Sequence, residues 1–402
     1  MAVIINGSGT VTGLAVGGLP DGSVDADTLA ANSVTAAKIV DGTIVDAEVT
    51  SLAASKLTGA LPAISGANLT GIVNAATVAT SAPSSPAVGD QWFDSTAGTT
   101  AMKVYNGTGW DQMSNKFSAT GGTISTYSGY KVHTFTSSGT FTAEASGSVD
   151  VLIVAGGGGG GEDGGAGGAG GLRWLSGQSV TASAFSIVVG SGGTGGVGNA
   201  NNTSGGNSSA FGNSSSGGGG GASEYNAHDG NRGSGFEGGS GGSGGYPNYI
   251  SRSGNLGNYT PSEGNAAGTS AGAPQYGSGG GGGAGGVGSN GSSTNGGAGG
   301  VGSNNFISSS TTQTDALLTA ASAGHDVGGL RYLAGGGGGS SNQNGNHASG
   351  GYGGGGNGGS GGNTTASTAG TSNTGGGGGA GAENNGDGSN GGSGIVIVRY
   401  AI

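Results

Sequence analysis

EGGSGGSGGY, residues 237–246, places Glu237, Ser240, Ser243 and Tyr246 three apart with Gly-Gly between them. The same phase recurs at Ser191, Thr194 and Val197, at Asn295, Ala298 and Val301, and at Asn357, Ser360 and Asn363. A period of three is that of polyproline II geometry, with a rise of about 3.1 Å per residue and no internal hydrogen bonds. Collagen has one Gly per triplet and needs Pro, whereas this chain of 402 residues holds 106 Gly and 7 Pro. Two bare positions per turn let each helix touch neighbours on two sides and show its side chain on the third. Laid side by side, such helices bond N–H to C=O between neighbours, so buried backbone is paired. Ordering this much Gly costs entropy that dense backbone bonding must offset. A flexible glycine linker has no reason to keep this phase.

Runs of five glycines at 217–221, 279–283, 335–339 and 375–379 have no side chain in any direction. They suit helices enclosed on all sides. The expectation is a layered polyglycine II sandwich with pentaglycine runs inside and Gly-Gly-X runs outside, X facing solvent. Strand-like sequence flanks it: YKVHTFTSSGTFTA (130–143) and SVDVLIVA (148–155) before the first runs, LRWLSGQSVTASAFSIVV (172–189) between them, and IVIVRY (395–400) at the close. Trp174, Phe185 and Ile187 of the middle stretch read as core.

Toward the N-terminus, 21–50 align as three decapeptides, DGSVDADTLA, ANSVTAAKIV and DGTIVDAEVT. Val24, Val34 and Ile44 share one column, and Leu29, Ile39 and Val49 another. So short a unit cannot bury its own apolar stripe and must stack on copies, which predicts a self-associating shaft, a homotrimer. A pair of short amphipathic helices is the alternative. SAPSSPAVGD (81–90) reads as a linker, and QWF (91–93) with MKVYNG (102–107) as a small β module. Its aromatics Trp92, Phe93, Tyr105 and Trp110 read as core rather than as sugar-stacking rings. The expected chain is mostly non-α: an N-terminal attachment region and repeat shaft at 1–80, a linker and small β module at 81–120, and a glycine-rich domain at 121–402 with short β-strands at its base.

Charged residues are 8% of the chain, and the net charge is −11. A phosphate-binding surface needs clustered Lys and Arg, so nucleic acid is not an expected partner. The absence of Cys excludes disulfides and thiolate metal sites. His133, His228, His325 and His347 sit in unrelated contexts, without HExxH, CxxC or a nucleophile elbow. No enzyme activity, metal or cofactor is expected. GxGxxG matches follow from composition alone, and Asp387 in NNGDGSNGG lacks the nine-residue recurrence of a calcium β-helix. The opening residues lack a secretory signal and no run approaches the roughly 18 apolar residues of a membrane span.

The decapeptide array, LTGALPAISGANLTGI (57–72) and GDQWFDSTAG with KVYNGTGW (89–110) are similar to stretches of tailed-phage fibre proteins. Residues 132–402 resemble the glycine-rich receptor-binding domains at phage fibre tips, where polyglycine II helices form a sandwich carrying variable loops at its distal end. This resemblance implies an adhesin of the virion tail fibre, made in the host cytoplasm without a signal peptide and joined to other tail proteins. Its partner would be a bacterial surface receptor, an outer-membrane protein or a surface glycan, with no membrane insertion. A structural virion spacer is the alternative, and an ice-binding glycine sandwich a more distant one, because the loops are long and aromatic.

If helices alternate in direction, the connections at 199–216, 247–277, 303–333 and 364–374 share one end, and those at 223–236, 289–294, 341–349 and 382–386 the other. The first set is longer, and long loops on a rigid scaffold are where binding sits. Phe211, Tyr249, Arg252, Tyr259, Tyr276, Phe306, His325, Arg331 and Tyr332 lie in it and are the candidate receptor contacts, aromatic and Arg side chains being the usual anchors. The same count puts IVIVRY at the loop end, away from the strand it should pair with, so one run is miscounted.

Overall fold

The computed structural model describes residues 76–96, 101–113, 117–197, 202–223, 234–245, 250–273, 276–341, 346–361, 365–382 and 386–402, with backbone at scattered positions elsewhere. The decapeptide columns at Val24, Leu29, Ile44 and Val49 lie outside them. Near the N-terminus β1 (Ile4–Ile5) pairs antiparallel with β2 (Val11–Thr12). A four-stranded sheet in the order β3-β4-β5-β6 follows, from β3 (Thr77–Ala79), β4 (Gln91–Asp94), β5 (Ala101–Tyr105) and β6 (Trp110–Gln112). Its pleat buries Trp92, which packs edge-on to Trp110 at 5.5 Å, and leaves Phe93 exposed. Phe93 therefore departs from the core position expected of it. Hydrogen bonds from Lys103 and Thr96 hold the Asp94 carboxyl down at about 2.

Next come β7 (Ala119–Thr120), β8 (Thr123–Tyr127), β9 (Tyr130–Phe135), β10 (Gly139–Ala143), β11 (Gly147–Val154), β12 (Leu172–Val180) and β13 (Ala184–Ile187). The hairpins β14 (Ser208–Ala210) to β15 (Asn213–Ser215) and β16 (Ala227–His228) to β17 (Asn231–Arg232) precede helix α1 (Thr311–Ala320). The chain closes with β18 (His325–Val327), β19 (Leu330–Tyr332) and β20 (Ile395–Ala401). An antiparallel sheet β12-β11-β20-β9-β8 faces a smaller one, β13-β10-β7. The apolar runs of β11 and β20 fit a strand buried on both faces. Val149, Val151, Ile153, Val396, Val398 and Tyr400 pack toward Phe141 of β10, while Leu152, Val154, Ile395 and Ile397 pack toward Leu317 and Leu318 of α1 and toward Leu333. Ser310 caps α1, its Oγ accepting from the Gln313 N–H at 3.2 Å. The described residues are thus mostly β, in several small sheets, with one helix inside the stretch 303–333 that the sequence marks as a loop.

His133 of β9 is fully buried among these strands. Its Nδ1 donates to the Gly121 carbonyl at 2.7 Å, and burial pushes its pKa below the ordinary 6.5. The unfolded chain therefore takes the proton first. Stability is complete above about pH 6.5 and falls as pH drops below it, at no more than about 1.4 kcal/mol per pH unit for one proton. Urea midpoints at pH 5.5 and 7.5 should differ by less in His133→Gln than in the parent chain.

At Val154 the chain leaves the sheet as segment 155–161, turns at Glu162 and Asp163, and returns as 164–171 into β12. Segment 164–171 lies at the centre of the glycine body. Gly165, Gly168 and Gly171 donate to Ala222, Gly219 and Ser216; Gly167 and Gly170 donate to Gly378 and Gly375; Ala169 donates to Gly282. Its carbonyls accept in the same rhythm from Gly158 and Gly161, from Ser240 and Ser243, and from Gly337. Every third residue meets the same neighbour. Six segments surround it: 155–161, 216–223, 240–245, 277–284, 334–341 and 375–382. Outside these run 190–197, 202–207, 234–239, 250–254, 264–271, 286–291, 295–302, 346–352, 354–361, 365–371 and 386–394, joined to them and to one another by backbone bonds of the same kind.

The four pentaglycine runs are buried, and Ser191, Thr194, Val197, Asn295, Ala298 and Val301 face solvent. Ser240, Ser243 and Ser360 do not: all three are fully buried, against the expectation that X points outward. Ser243 shows how a polar X is accommodated, its Oγ accepting from Ala166 N–H at 2.7 Å and donating to Gly279 C=O at 2.6 Å. The Ser243 hydroxyl is small enough to fit between segments and satisfies itself on their backbone, whereas the Ser240 hydroxyl is buried without a partner among the described residues.

The direction count also changes. Segments 202–207, 250–254, 264–271 and 365–371 are poor in Gly-Gly pairs yet run as full members of the body, so 199–216 and 247–277 are not single loops. The connections at 208–215, 255–263 and 303–333 lie at the sheet end, where β20 pairs with β11. That removes the misplacement of IVIVRY. The residues flanking 198–201, 224–233, 246–249, 274–275, 342–345, 362–364 and 383–385 lie at the opposite, far end, together with the turns at 162–163 and 292–295.

Candidate functional site

Most of the aromatic and cationic candidates gather at the sheet end and are engaged there. Phe211, at the β14–β15 turn, packs against Phe141 and Phe185 with centroids 5.4 and 5.2 Å away. Arg252 donates from Nε to the Gly235 carbonyl, flat along the body. Tyr259 carries the Arg173 guanidinium over its ring at 3.6 Å and shares a hydrogen bond with the Ser214 hydroxyl. Phe306 lies 6.0 Å from Trp174 and packs on the core below α1. His325 accepts at Nδ1 from Gly353 N–H. Arg331 donates to the Thr319 hydroxyl and the Ala323 carbonyl, and Tyr332 pairs with Tyr352 at 5.7 Å. Tyr276 lies apart, at the far end, and Tyr249 lies outside the described residues. The structure therefore does not bring the candidates to one face.

Two features at the sheet end escape sequence reading. Glu263 is fully buried, with one oxygen accepting from the Ser215 hydroxyl and Ser216 N–H, each at 2.9 Å, and the other from Gly257 N–H at 3.2 Å. Its own carbonyl accepts from Leu172 N–H, tying the connection 255–264 to the start of β12. Nothing in NYTPSEGN marks this carboxylate, because Ser215 and Ser216, which hold one of its oxygens, lie 48 and 47 residues away. Beside it opens a cleft of about 350 Å³ along the outer edge of β12, lined by Trp174, Pro261, Ser262, Asn305, Phe306 and Ser309 among others.

The far end differs in kind. Its connections are set by the exit of one glycine segment and the return of the next, and the short hairpin β16–β17 falls within one of them. Their sequences hold Tyr225, His228, Arg232, Tyr246, Tyr249 and Tyr276. Among the described residues no three His, Asp or Glu side chains converge as a metal site, and no helix is long and apolar enough to cross a membrane.

Neither the curated proteins nor the solved structures contain a significant match to this sequence. The model of the glycine-rich domain family matches residues 134–401, from β9 through the whole glycine body to β20. That stretch is well over half of the chain, and on it the chain belongs to the glycine-rich domain family.

Proposed function

We propose that this chain is a phage tail-fibre adhesin whose glycine body presents a receptor-binding face at the end opposite its sheets. The polarity of the body carries this reading. Residues 117–123 lead into it through β7 and β8, and β20 closes it beside them, so the preceding chain joins at the sheet end. The far-end connections, with their Tyr, His and Arg residues, lie opposite that junction, as loops on a rigid scaffold do when they bind. Of the nine sequence candidates only Tyr249 and Tyr276 fall in far-end connections.

The segments are read as polyglycine II helices in a hexagonal bundle. The supporting observation is that hydrogen bonds from 164–171 return to the same neighbour every third residue, the repeat of that helix. The partner is a bacterial outer-membrane protein or surface glycan. Other tail proteins attach toward the N-terminus, where the decapeptide shaft forms a trimer in the virion.

Adsorption of the full-length chain to candidate host cells tests the reading. Replacing 246–249 (YPNY) and 274–276 (PQY) with Gly-Ser sequence should lower adsorption at least about tenfold, as loss of interface anchors does, with an unchanged Tm. Arg331→Ala, at the sheet end, should adsorb like the parent. Equal adsorption by both variants excludes the far-end face, and no adsorption by the parent to any tested host favours a structural spacer.

A further inference from the structure

The cleft along β12 belongs to neither the far-end face nor the packed core, and its chemistry is specific. β12 is an edge strand of the five-stranded sheet. Leu172 sends its N–H outward to Glu263, and Ala155 N–H bonds Gly171 C=O on the inner side. By strand alternation Trp174 also turns its N–H and C=O outward, toward the cleft. Trp174 and Phe306 supply aromatic surface, and Pro261 adds an apolar wall. Leu172, Leu175 and Ala284 are apolar as well, Arg173 is the one charged residue of the described lining, and the rest are neutral and polar: Thr260, Ser262, Ser303, Asn305 and Ser309.

The charges nearby are already engaged. Arg173 is stacked on Tyr259 and donates to the Ser214 carbonyl. Glu263 is enclosed by its three donors, and Arg399, above the Trp174 ring at 4.8 Å, is paired with Asp150 at 3.0 Å. Among the described residues a cationic ligand would find no counter-charge, an anionic one would meet only the Arg173 guanidinium, already stacked and hydrogen-bonded, and a purely apolar one would strip water from hydroxyls and an amide without replacing it. The volume, about 350 Å³, is in the range of small-molecule sites. Connections on both flanks, 260–262 and 303–309, fence the open edge against an added peptide strand.

From this we infer a second binding site on the protein, a cleft that takes a neutral pyranose unit. One face of the sugar ring lies on Trp174 and Phe306, and its hydroxyls bond Asn305, the Ser and Thr side chains and the Trp174 backbone. The inference does not depend on the far-end reading, and the two fail separately.

The test is ligand-observed saturation-transfer NMR on the full chain with methyl glucoside, galactoside, mannoside and N-acetylglucosaminide. At least one should saturate with a Kd of about 1–10 mM, as suits one sugar unit in an open cleft. Asn305→Trp, which fills the cleft from an exposed position, and Phe306→Leu, which removes the ring but keeps an apolar side chain, should each weaken it at least tenfold. Thermal unfolding run in parallel identifies a variant that has lost its fold, and Asn305→Ala then serves as the milder replacement. The 246–249 variant should bind the sugar as the parent does. The inference is overturned if no pyranoside saturates, if a folded Asn305→Trp chain binds unchanged, or if hexanol or a glucuronide competes as well as the neutral sugar.

Discussion

Gly168→Ala should destabilise the protein by more than about 3 kcal/mol, at the upper end of what an added methyl does in a packed interior. A Cβ at Gly168 would lie 2.2 Å from the Ser240 carbonyl oxygen and 2.6 Å from that of Gly241. Even a C–H···O contact keeps roughly 3.3 Å, so the segments would have to part by about an ångström. The obstructing atoms are backbone, which no rotamer change can move. Parting them stretches the bonds that Gly168 makes with Gly219 and Gly158, at 2.8 and 2.9 Å, and those of its neighbours with them. Ala166 and Ala169 sit in the same segment, fully buried and tolerated, because theirs are the positions where a methyl has room. Gly286→Ala is the control: its nearest contact is a Val301 methyl at 3.1 Å, the movable end of a side chain. It should cost less than about 1 kcal/mol, in line with surface substitutions. Calorimetric Tm values of the two variants decide the matter, and comparable shifts would mean that close backbone approach does not set the stability of the body.

The double substitution Ser204→Ala with Asn207→Ala should cost about 2–6 kcal/mol, from two buried N–H groups left without partners at about 1–3 kcal/mol each. Segment 216–223 shows why. Gly218 and Gly221 donate to the backbone of 155–161, and Gly219 and Ala222 to that of 240–245. The third direction belongs to Gly217 and Gly220, which donate instead to Asn207 Oδ1 at 2.8 Å and Ser204 Oγ at 3.3 Å. Segment 202–207 stands on that side, its Gly205 N–H bonding the Gly218 carbonyl, and it meets these two N–H groups with side chains three residues apart, matched to the three-residue repeat of the backbone bonds. Amide exchange at Gly217 and Gly220 should quicken in the double variant, while Gly218 and Gly221 stay protected. A loss below about 0.5 kcal/mol, the size of an ordinary surface change, would show that water replaces these side chains without penalty.

The first prediction draws on what the sequence made legible. The three-residue phase and the pentaglycine runs identify segments with two or three bare sides, and the buried state of 217–221, 279–283, 335–339 and 375–379 follows from them. The apolar runs VLIV (151–154) and IVIV (395–398) identify strands, and their burial on both faces follows from the lack of a polar residue within them. Glu263, Asn207 and the β12 cleft were not legible, because each depends on which segments and connections the tertiary structure sets side by side.

What the sequence by itself determined is the local element: a chain with Gly at two positions in three can approach other backbones closely, and few other residues can. Which segments are neighbours, which end each connection reaches and whether an X position faces solvent were decided only by the tertiary structure. The reason is that a backbone N–H bonded to a backbone C=O is the same interaction whichever glycine supplies it, so the runs carry no label for their partners. Ser240 and Ser191 occupy equivalent triplets, yet one is buried and the other exposed. Their difference comes from where the strands and the longer connections at the sheet end direct each segment, and α1, Glu263 and the paired strands β11 and β20 fix that direction through side-chain packing and register.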